Sequence, residues 1–324
     1  MSNTSRRAIS GIHTWAALPW LCLGFAGALL LLASCGKGGQ GAKSSGKKFN
    51  SPEAAAESLI AAAERFDVPA LQEILGPGGE DLVVTQDTVQ DRNQSQDFAA
   101  QARQQTRIIR EPADSKAAIL AVGTDEWPLP FPIVEQGGTW QFDSEAGRAE
   151  VLHRRIGENE LDAIEVCRGF VEAQQEYAAV KHDGAIVNQY AQHIISTPGK
   201  NDGLAWKAAD GTWQGPVGEA IARVIAEGYT SKYEPYHGYF FKVLKAQGPA
   251  APLGAMDFVV QGAMIGGFAL AAAPAEYEVT GVKSFIVSHD GVVYEKDMGA
   301  QTMEQFQAIE RFDPDSTWSA VTDS

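Results

Sequence analysis

Asn159-Glu160-Leu161-Asp162-Ala163-Ile164-Glu165-Val166-Cys167-Arg168-Gly169-Phe170-Val171 sets the architecture of this chain. Leu161, Ile164, Cys167, Phe170, Val171 and, further on, Ala178 return at every third or fourth position or a multiple of it, the repeat of one helix face. A stripe this broad has to be buried. The sequence downstream supplies a surface for it in five candidate strands: Tyr239 to Lys245, Phe258 to Gln261, Phe268 to Ala273, Lys283 to Val287 and Val292 to Glu295. Asp290-Gly291 is a hairpin turn between the last two. A Gly/Asp/Pro/Trp-rich stretch, Thr197 to Pro216, and a helix over Val217 to Ala226 separate helix from sheet. Residues 146–321 therefore read as a long helix packed on an antiparallel meander sheet. The helical pattern starts at Ser144, and a break is expected near Gly157-Glu158-Asn159.

Upstream, residues 49–145 read as a second α+β module. Ser51 suits an N-cap and Pro52 the first helical position. Leu59, Ile60, Ala63 and Phe66 then follow with helical spacing. A short helix from Pro69 to Leu75 stops at Gly76-Pro77-Gly78-Gly79, and a polar helix is expected over Gln94 to Arg107. Strands are expected at Ala117 to Val122, Phe131 to Glu135 and Thr139 to Phe142, with Gly137-Gly138 as a hairpin turn. Helices followed by a curled antiparallel sheet resemble a nuclear transport factor 2-like or cystatin-like cone. The whole chain is thus expected to be α+β.

The first 34 residues read as a lipoprotein signal peptide. Arg6 and Arg7 start it, Leu21 to Leu32 form an apolar core, and Leu32-Ala33-Ser34 places small residues before Cys35. The Cys35 thiol is the lipidation site, so the protein is expected to be lipid-anchored in a bacterial cell envelope, facing the periplasm. A retained transmembrane helix over Thr14 to Ser34 is the alternative, but it leaves Cys35 without a role. Gly36, in place of an Asp, favours the outer membrane over the inner. Ser5-Arg6-Arg7-Ala8-Ile9 is compatible with Sec or twin-arginine export. Residues 35–48 form a Gly/Ser/Lys tether spanning roughly 20 Å as a flexible coil.

The formal net charge is −15. Removing residues 1–34 takes away two arginines and no acid, so the mature chain is more acidic still. Such a surface disfavours nucleic acid and anionic lipid headgroups and suits a basic or cationic partner. Once Cys22 has left and Cys35 is lipidated, Cys167 is the only thiol, so no intramolecular disulfide can form.

Several separated motifs carry a family likeness: Gly157-Glu158-Asn159-Glu160-Leu161, Ala163-Ile164-Glu165-Val166-Cys167, Ser196-Thr197-Pro198-Gly199-Lys200, Pro235-Tyr236-His237-Gly238-Tyr239, Met264-Ile265-Gly266-Gly267-Phe268 and Asp290-Gly291-Val292-Val293-Tyr294-Glu295-Lys296. Over Phe49 to Val321 the chain resembles the bacterial envelope family catalogued as domain of unknown function 2950 (DUF2950). The resemblance implies an exported protein, often a lipoprotein, with no activity to carry over and with a dedicated envelope protein as its partner. Family members often carry an Asp-rich, calcium-loop-like stretch after the long helix. Here that place reads His182-Asp183-Gly184-Ala185-Ile186-Val187-Asn188, and two side-chain oxygen donors are too few for a hard cation. The long helix, the Tyr239-Phe240-Phe241 strand and the final hairpin also resemble the head of type IV pilin-like proteins, without the apolar assembly segment of a pilin.

No motif announces a reaction. The histidines His153, His182, His193, His237 and His289 lack the close spacing of a metal site, so neither metal nor cofactor is expected. Cys167, on the apolar stripe, reads as a core residue. His289-Asp290 reads as a turn. The most site-like set is Trp206, Trp213, Tyr229, Tyr233, Tyr236, His237 and Tyr239, aromatics with polar tips in a Gly/Pro-rich region. Within it Trp206, Trp213, Tyr236, His237 and Tyr239 are the candidate binding residues. A non-enzymatic recognition or scaffold module is the preferred expectation. One alternative is an envelope glycan or peptide hydrolase or transferase using His237 with Asp202 or Asp257. The other is a pilus or secretion-system accessory protein.

Overall fold

A computed structural model describes residues 46–111, 114–227, 229 and 234–322. Cys35, the signal peptide, most of the tether and Tyr233 lie outside the described residues. Among the described residues no helix is long and apolar enough to cross a membrane.

The first half builds helices before strands. Helix α1 (Pro52–Glu64) starts where Ser51 Oγ accepts the Ala54 N–H at 3.1 Å. It is followed by α2 (Val68–Leu75), a single turn α3 (Glu80–Val83) and α4 (Thr88–Gln104). Helix α4 begins earlier than the sequence suggested, because Asp87 caps it by accepting the Gln90 N–H. It also ends earlier. Residues 106–111, expected at the close of that helix or beyond it, form strand β1 (Thr106–Glu111). Its partner is β2 (Asp114–Val122), followed by β3 (Trp127–Pro128), β4 (Ile133–Gln136) and β5 (Thr139–Phe142). The sheet runs β1-β2-β4-β5, antiparallel throughout, with β3 on β2. Leu59, Ile60, Ile74, Leu120, Ile133 and Phe142 fill the core between helices and sheet.

The deciding stretch lies in α5 (Ser144–Ala178), one helix of 35 residues with no break at Gly157. Glycine costs helix about 1 kcal/mol relative to alanine, and tertiary contacts on both sides outweigh that. The first turns are fastened to the first core, where Ser144 Oγ donates to Leu75 O at 2.8 Å. Gly147 lies so close to Pro130 and Phe131 that a Cβ would stand 2.6 Å from their backbone. The later turns bury Ala163, Cys167, Phe170 and Val171 in a second core. Burial pushes the Cys167 thiol up to about 12, so it stays protonated and inert.

Strands β6 (His193–Ile195), β7 (Gly203–Lys207) and β8 (Trp213–Gln214) make a small sheet, and α6 (Gly218–Ala226) follows. Next come β9 (Tyr239–Leu244) and two small ribbons, β10 (Ala246–Gln247) with β11 (Met256–Asp257) and β12 (Val259–Val260) with β13 (Ala263–Met264). The principal sheet is completed by β14 (Ala269–Pro274), β15 (Lys283–Ser288), β16 (Val293–Asp297) and, after α7 (Thr302–Ala308), β17 (Ser319–Ala320). Its order is β17-β16-β15-β14-β9, antiparallel at each step. Every residue of β14 is buried, as expected of a strand covered on both faces. Phe258, Phe268 and Phe285 pack in the same core, each contributing about 2–3 kcal/mol of transfer free energy. The chain is mixed α+β with several antiparallel sheets.

Candidate functional site

The hairpin before β9 is tightly constrained. Tyr236 and Tyr239 exchange both backbone hydrogen bonds, at 2.8 and 3.1 Å. The two residues between them, His237 and Gly238, have φ of 48° and 73°. That is the twist of a two-residue hairpin, which favours Asn-Gly. Gly238 meets it without strain. His237 carries a Cβ in the left-handed region, at a cost of about 1–2 kcal/mol, and side-chain contacts hold it there.

The first contact is with α5. His237 Nδ1 lies 2.5 Å from Asp162 Oδ2. An acceptor-only carboxylate fixes the tautomer, so Nδ1 donates. Tyr236 stacks on the imidazole at 4.1 Å between centroids and 23° between planes, and Tyr229 packs edge-on against Tyr236 at 5.2 Å. The His237 side chain is 31% exposed. Burial alone would lower the His237 pKa. The Asp162 hydrogen bond and the charges of Asp162, Glu227 and Asp87 overcome it and hold the imidazole above its ordinary value. One turn earlier on α5, burial and the neighbouring Asp162 charge raise Glu158. Burial and nearby carboxylates raise the phenols of Tyr229 and Tyr236 as well, so both remain hydroxyl donors.

The second contact is with the first half of the chain. Asp87, 1% exposed, accepts the Tyr229 O–H and the Gly238 N–H on one oxygen, both at 2.9 Å, while its other oxygen caps α4. Asn159 on α5 is completely buried. Its Oδ1 accepts from Gln90 Nε2 and its Nδ2 donates to Thr280 O, each at 2.9 Å. Gln86 N–H donates to Glu276 Oε1 at 2.6 Å. Asp91 is pushed up to about 6 by burial, against its hydrogen bonds from Thr85 and the nearby Arg155 charge. The Arg155 guanidinium donates to Asp81 O and Leu82 O. Asp87, Gln90, Asn159 and the His237 turn thus make one polar seam joining the two halves of the chain.

The seam gives a signed pH dependence. His237, Glu158 and Asp91 bind protons more tightly folded than unfolded. Stability from a raised pKa is complete below the unfolded value and is lost as pH rises through the folded value. For Asp91 the loss runs between its ordinary 3.8 and about 6. For His237 it runs upward from about 6.5. The urea midpoint is therefore expected to fall from pH 5 to pH 8. His237→Asn, whose side chain tolerates the left-handed backbone, should lose the portion above pH 6.5 and keep the portion below. Identical pH profiles for the two proteins would contradict this.

The sequence candidates are distributed over several places. The acid that faces His237 is Asp162. Asp202 accepts the Thr197 N–H at 2.7 Å, and Asp257 lies 3.4 Å from Arg311. Trp206 packs edge-on against His182, which stacks on Tyr177 at 3.8 Å. Trp213 lies under Lys207 Nζ at 5.8 Å. Tyr239 is 1% exposed and donates to Lys283 O, which makes it a core residue. Of the binding candidates only Tyr236 and His237 share one place, with Tyr229. Sequence reasoning missed Asp87, Glu158 and Asp162. The one signal was Glu158 and Asp162 standing four residues apart on a helix face beside Asn159, and nothing local pointed from there to residue 237.

Among the described residues no group of three or more His, Cys, Asp or Glu side chains is arranged to hold a metal ion. A pocket of about 310 Å³ between Ile286, Ile309, Arg311, Asp313 and Trp318 shares no residue with the His237 cluster. A long helix and two antiparallel cores joined by a buried polar seam define a two-core α+β protein. The chain belongs to the family described as "Protein of unknown function (DUF2950)", whose model matches residues 46–321. Comparison with curated proteins and with solved structures gives no match.

Proposed function

We propose that this protein is a lipid-anchored component of the bacterial cell envelope that recognises or scaffolds another envelope protein without catalysing a reaction. The observation that carries the reading is the buried seam. Asp87 accepts from Tyr229 and Gly238, and Asn159 accepts from Gln90, so the two cores are fastened together, while the His237 imidazole holds the turn through Asp162. Rigid relative placement of two modules is what a scaffold needs. The address rests on Arg6, Arg7, the apolar run and Leu32-Ala33-Ser34-Cys35, with Gly36 favouring the outer membrane. The helix on an antiparallel sheet keeps the pilin-like comparison, and an accessory role in a pilus or secretion system, in view as fold analogy only.

Two experiments test the reading. Cys35→Ser should abolish palmitate labelling and leave unprocessed precursor, and normal processing of the variant overturns the anchor. Crosslinking in intact cells, followed by purification from solubilised membranes, should recover one partner in stoichiometric amount. Recovery of the lipoprotein alone counts against recognition.

One observation favours a second reading. A partly exposed histidine oriented through Nδ1 by a carboxylate has the arrangement of the base in a hydrolytic site. If the protein hydrolyses envelope glycans or peptides, Asp162 is the acidic partner of His237. Turnover of peptidoglycan fragments, lost in His237→Asn, would establish that reading over the first.

A further inference from the structure

Strand β9 forms one edge of the principal sheet, and its pairing parity shows which backbone groups point outward. Gly238 O accepts from Ala275 N, on the β14 side. Tyr239 N and O turn the other way, to Tyr236. In an antiparallel ladder the direction alternates residue by residue, so Phe240, Lys242 and Leu244 bond β14, while Phe241 and Val243 point away from it. The same parity holds at the far end, where Lys245 O accepts the Phe258 N–H at 2.8 Å. The outward side of β9 is thus closed at one end by Tyr236 and at the other by Phe258. Between them stand the N–H and C=O groups of Phe241 and Val243, without a backbone partner among the described residues.

This edge lacks the protection found on β1, β5 and β16. Strand β1 carries Arg107 and Arg110, paired to Glu126 and Glu53, and a register shift at Arg110/Glu111. On β5, Phe49 exchanges both backbone bonds with Trp140, and β16 is capped by β17. Charges, bulges and covering strands are the ordinary defences of a sheet edge. Strand β9 reads Tyr-Phe-Phe-Lys-Val-Leu, with residues 240–243 all half-buried. Its one charge does not guard it, because Lys242 Nζ is drawn onto Phe306 O at 2.7 Å and over the Phe306 ring.

We infer that β9 is a strand-addition site that takes an extended segment of a basic partner protein, apolar at alternate residues. The inference rests on the recognition reading and names its surface. The slot over residues 240–244 is about 17 Å long at 3.3 Å per residue. It suits a short segment that bonds Phe241 and Val243 and lays apolar side chains beside theirs. Charge decides the partner. The chain carries −15, and Glu310 lies near enough to Lys242 to act on its titration. A second copy of this chain is disfavoured. Symmetric pairing through Phe241 and Val243 sets Lys242 opposite Lys242 and brings two acidic molecules together.

Residue-resolved hydrogen exchange on the full lipidated chain in detergent tests the edge. In the free protein the amides of Phe241 and Val243 should exchange at least about tenfold faster than those of Phe240, Lys242 and Leu244. Equal protection means that the edge is covered and overturns the inference. The probe is a synthetic peptide of alternating valine and threonine between terminal lysines, beside a twin with terminal glutamates. The basic peptide should slow both amides and the acidic one should be at least about threefold weaker. No protection, or equal protection by both, overturns the inference.

Val243→Pro removes an outward N–H and leaves the β14 ladder intact, as proline is tolerated on a free edge. It should keep the melting temperature and weaken the basic peptide about tenfold. A crosslinked partner still captured by Val243→Pro overturns strand addition and leaves the recognition reading standing. Protection of both amides by the basic peptide, with no partner captured by the unmodified protein, upholds the edge and sinks the recognition reading.

Discussion

Asp87→Ala is expected to destabilise the protein by about 3–5 kcal/mol. Three donors converge on this buried carboxylate: Gln90 N–H, Tyr229 O–H and Gly238 N–H. Loss of the α4 cap alone costs about 1 kcal/mol. Each buried donor left without an acceptor adds about 1–3 kcal/mol, because desolvation is no longer compensated. Against a typical domain stability of about 5–15 kcal/mol, that is a large part of the whole. Asp87→Asn should recover the cap but not the rest, since its amide group would face the Gly238 N–H. Urea unfolding monitored by circular dichroism measures both variants, and an Asp87→Ala midpoint equal to that of the unmodified protein would refute the role given to the seam.

Gly238→Ala is expected to cost about 2–4 kcal/mol. At φ 73° a Cβ is strained, by about 1–2 kcal/mol. The added methyl would also stand 2.6 Å from Asn159 Nδ2 and 2.9 Å from Thr280 Cβ, an overpacking worth about 1–3 kcal/mol. Asn159 cannot retreat without breaking its bonds to Gln90 and Thr280. The two substitutions share partners, so their effects should not add. The double variant should be less destabilised than the sum by at least about 0.5 kcal/mol. Additive losses in the same unfolding experiment would mean that Asp87 and Gly238 act independently.

Periodicity exposed the elements whose reasons are local. The stripe from Leu161 to Ala178 is legible as a helix because of its apolar spacing, and β9, β14, β15 and β16 are legible because β-rich runs alternate with turns. Phe258 to Gln261, expected as a further strand of that sheet, contributes instead to the separate β12–β13 ribbon, and β17 has no such signal. Leu161 itself is 66% exposed, so the buried stripe is narrower than the apolar spacing implies. Strand β1 was missed because Thr106 to Glu111 is as polar as the helix before it; only pairing with β2 makes it a strand. The break expected at Gly157 is absent because Asn159 is held at both ends by residues 69 and 121 positions away, a fact with no local trace. His237 stands out in the sequence by its aromatic neighbours Tyr236 and Tyr239. Its true carboxylate, Asp162, lies 75 residues away.

The sequence alone determined the α+β class, the long amphipathic helix, the burial of Cys167 and the membership of the family, since each depends on spacing and composition along the chain. The tertiary structure decided that α5 is unbroken, that Asp87, Asn159 and the His237 turn form one seam, and that the outward backbone groups of Phe241 and Val243 have no backbone partner among the described residues. Hydrogen bonds and charges act through space between residues far apart in sequence. Their partners are fixed only when packing has brought the two cores together.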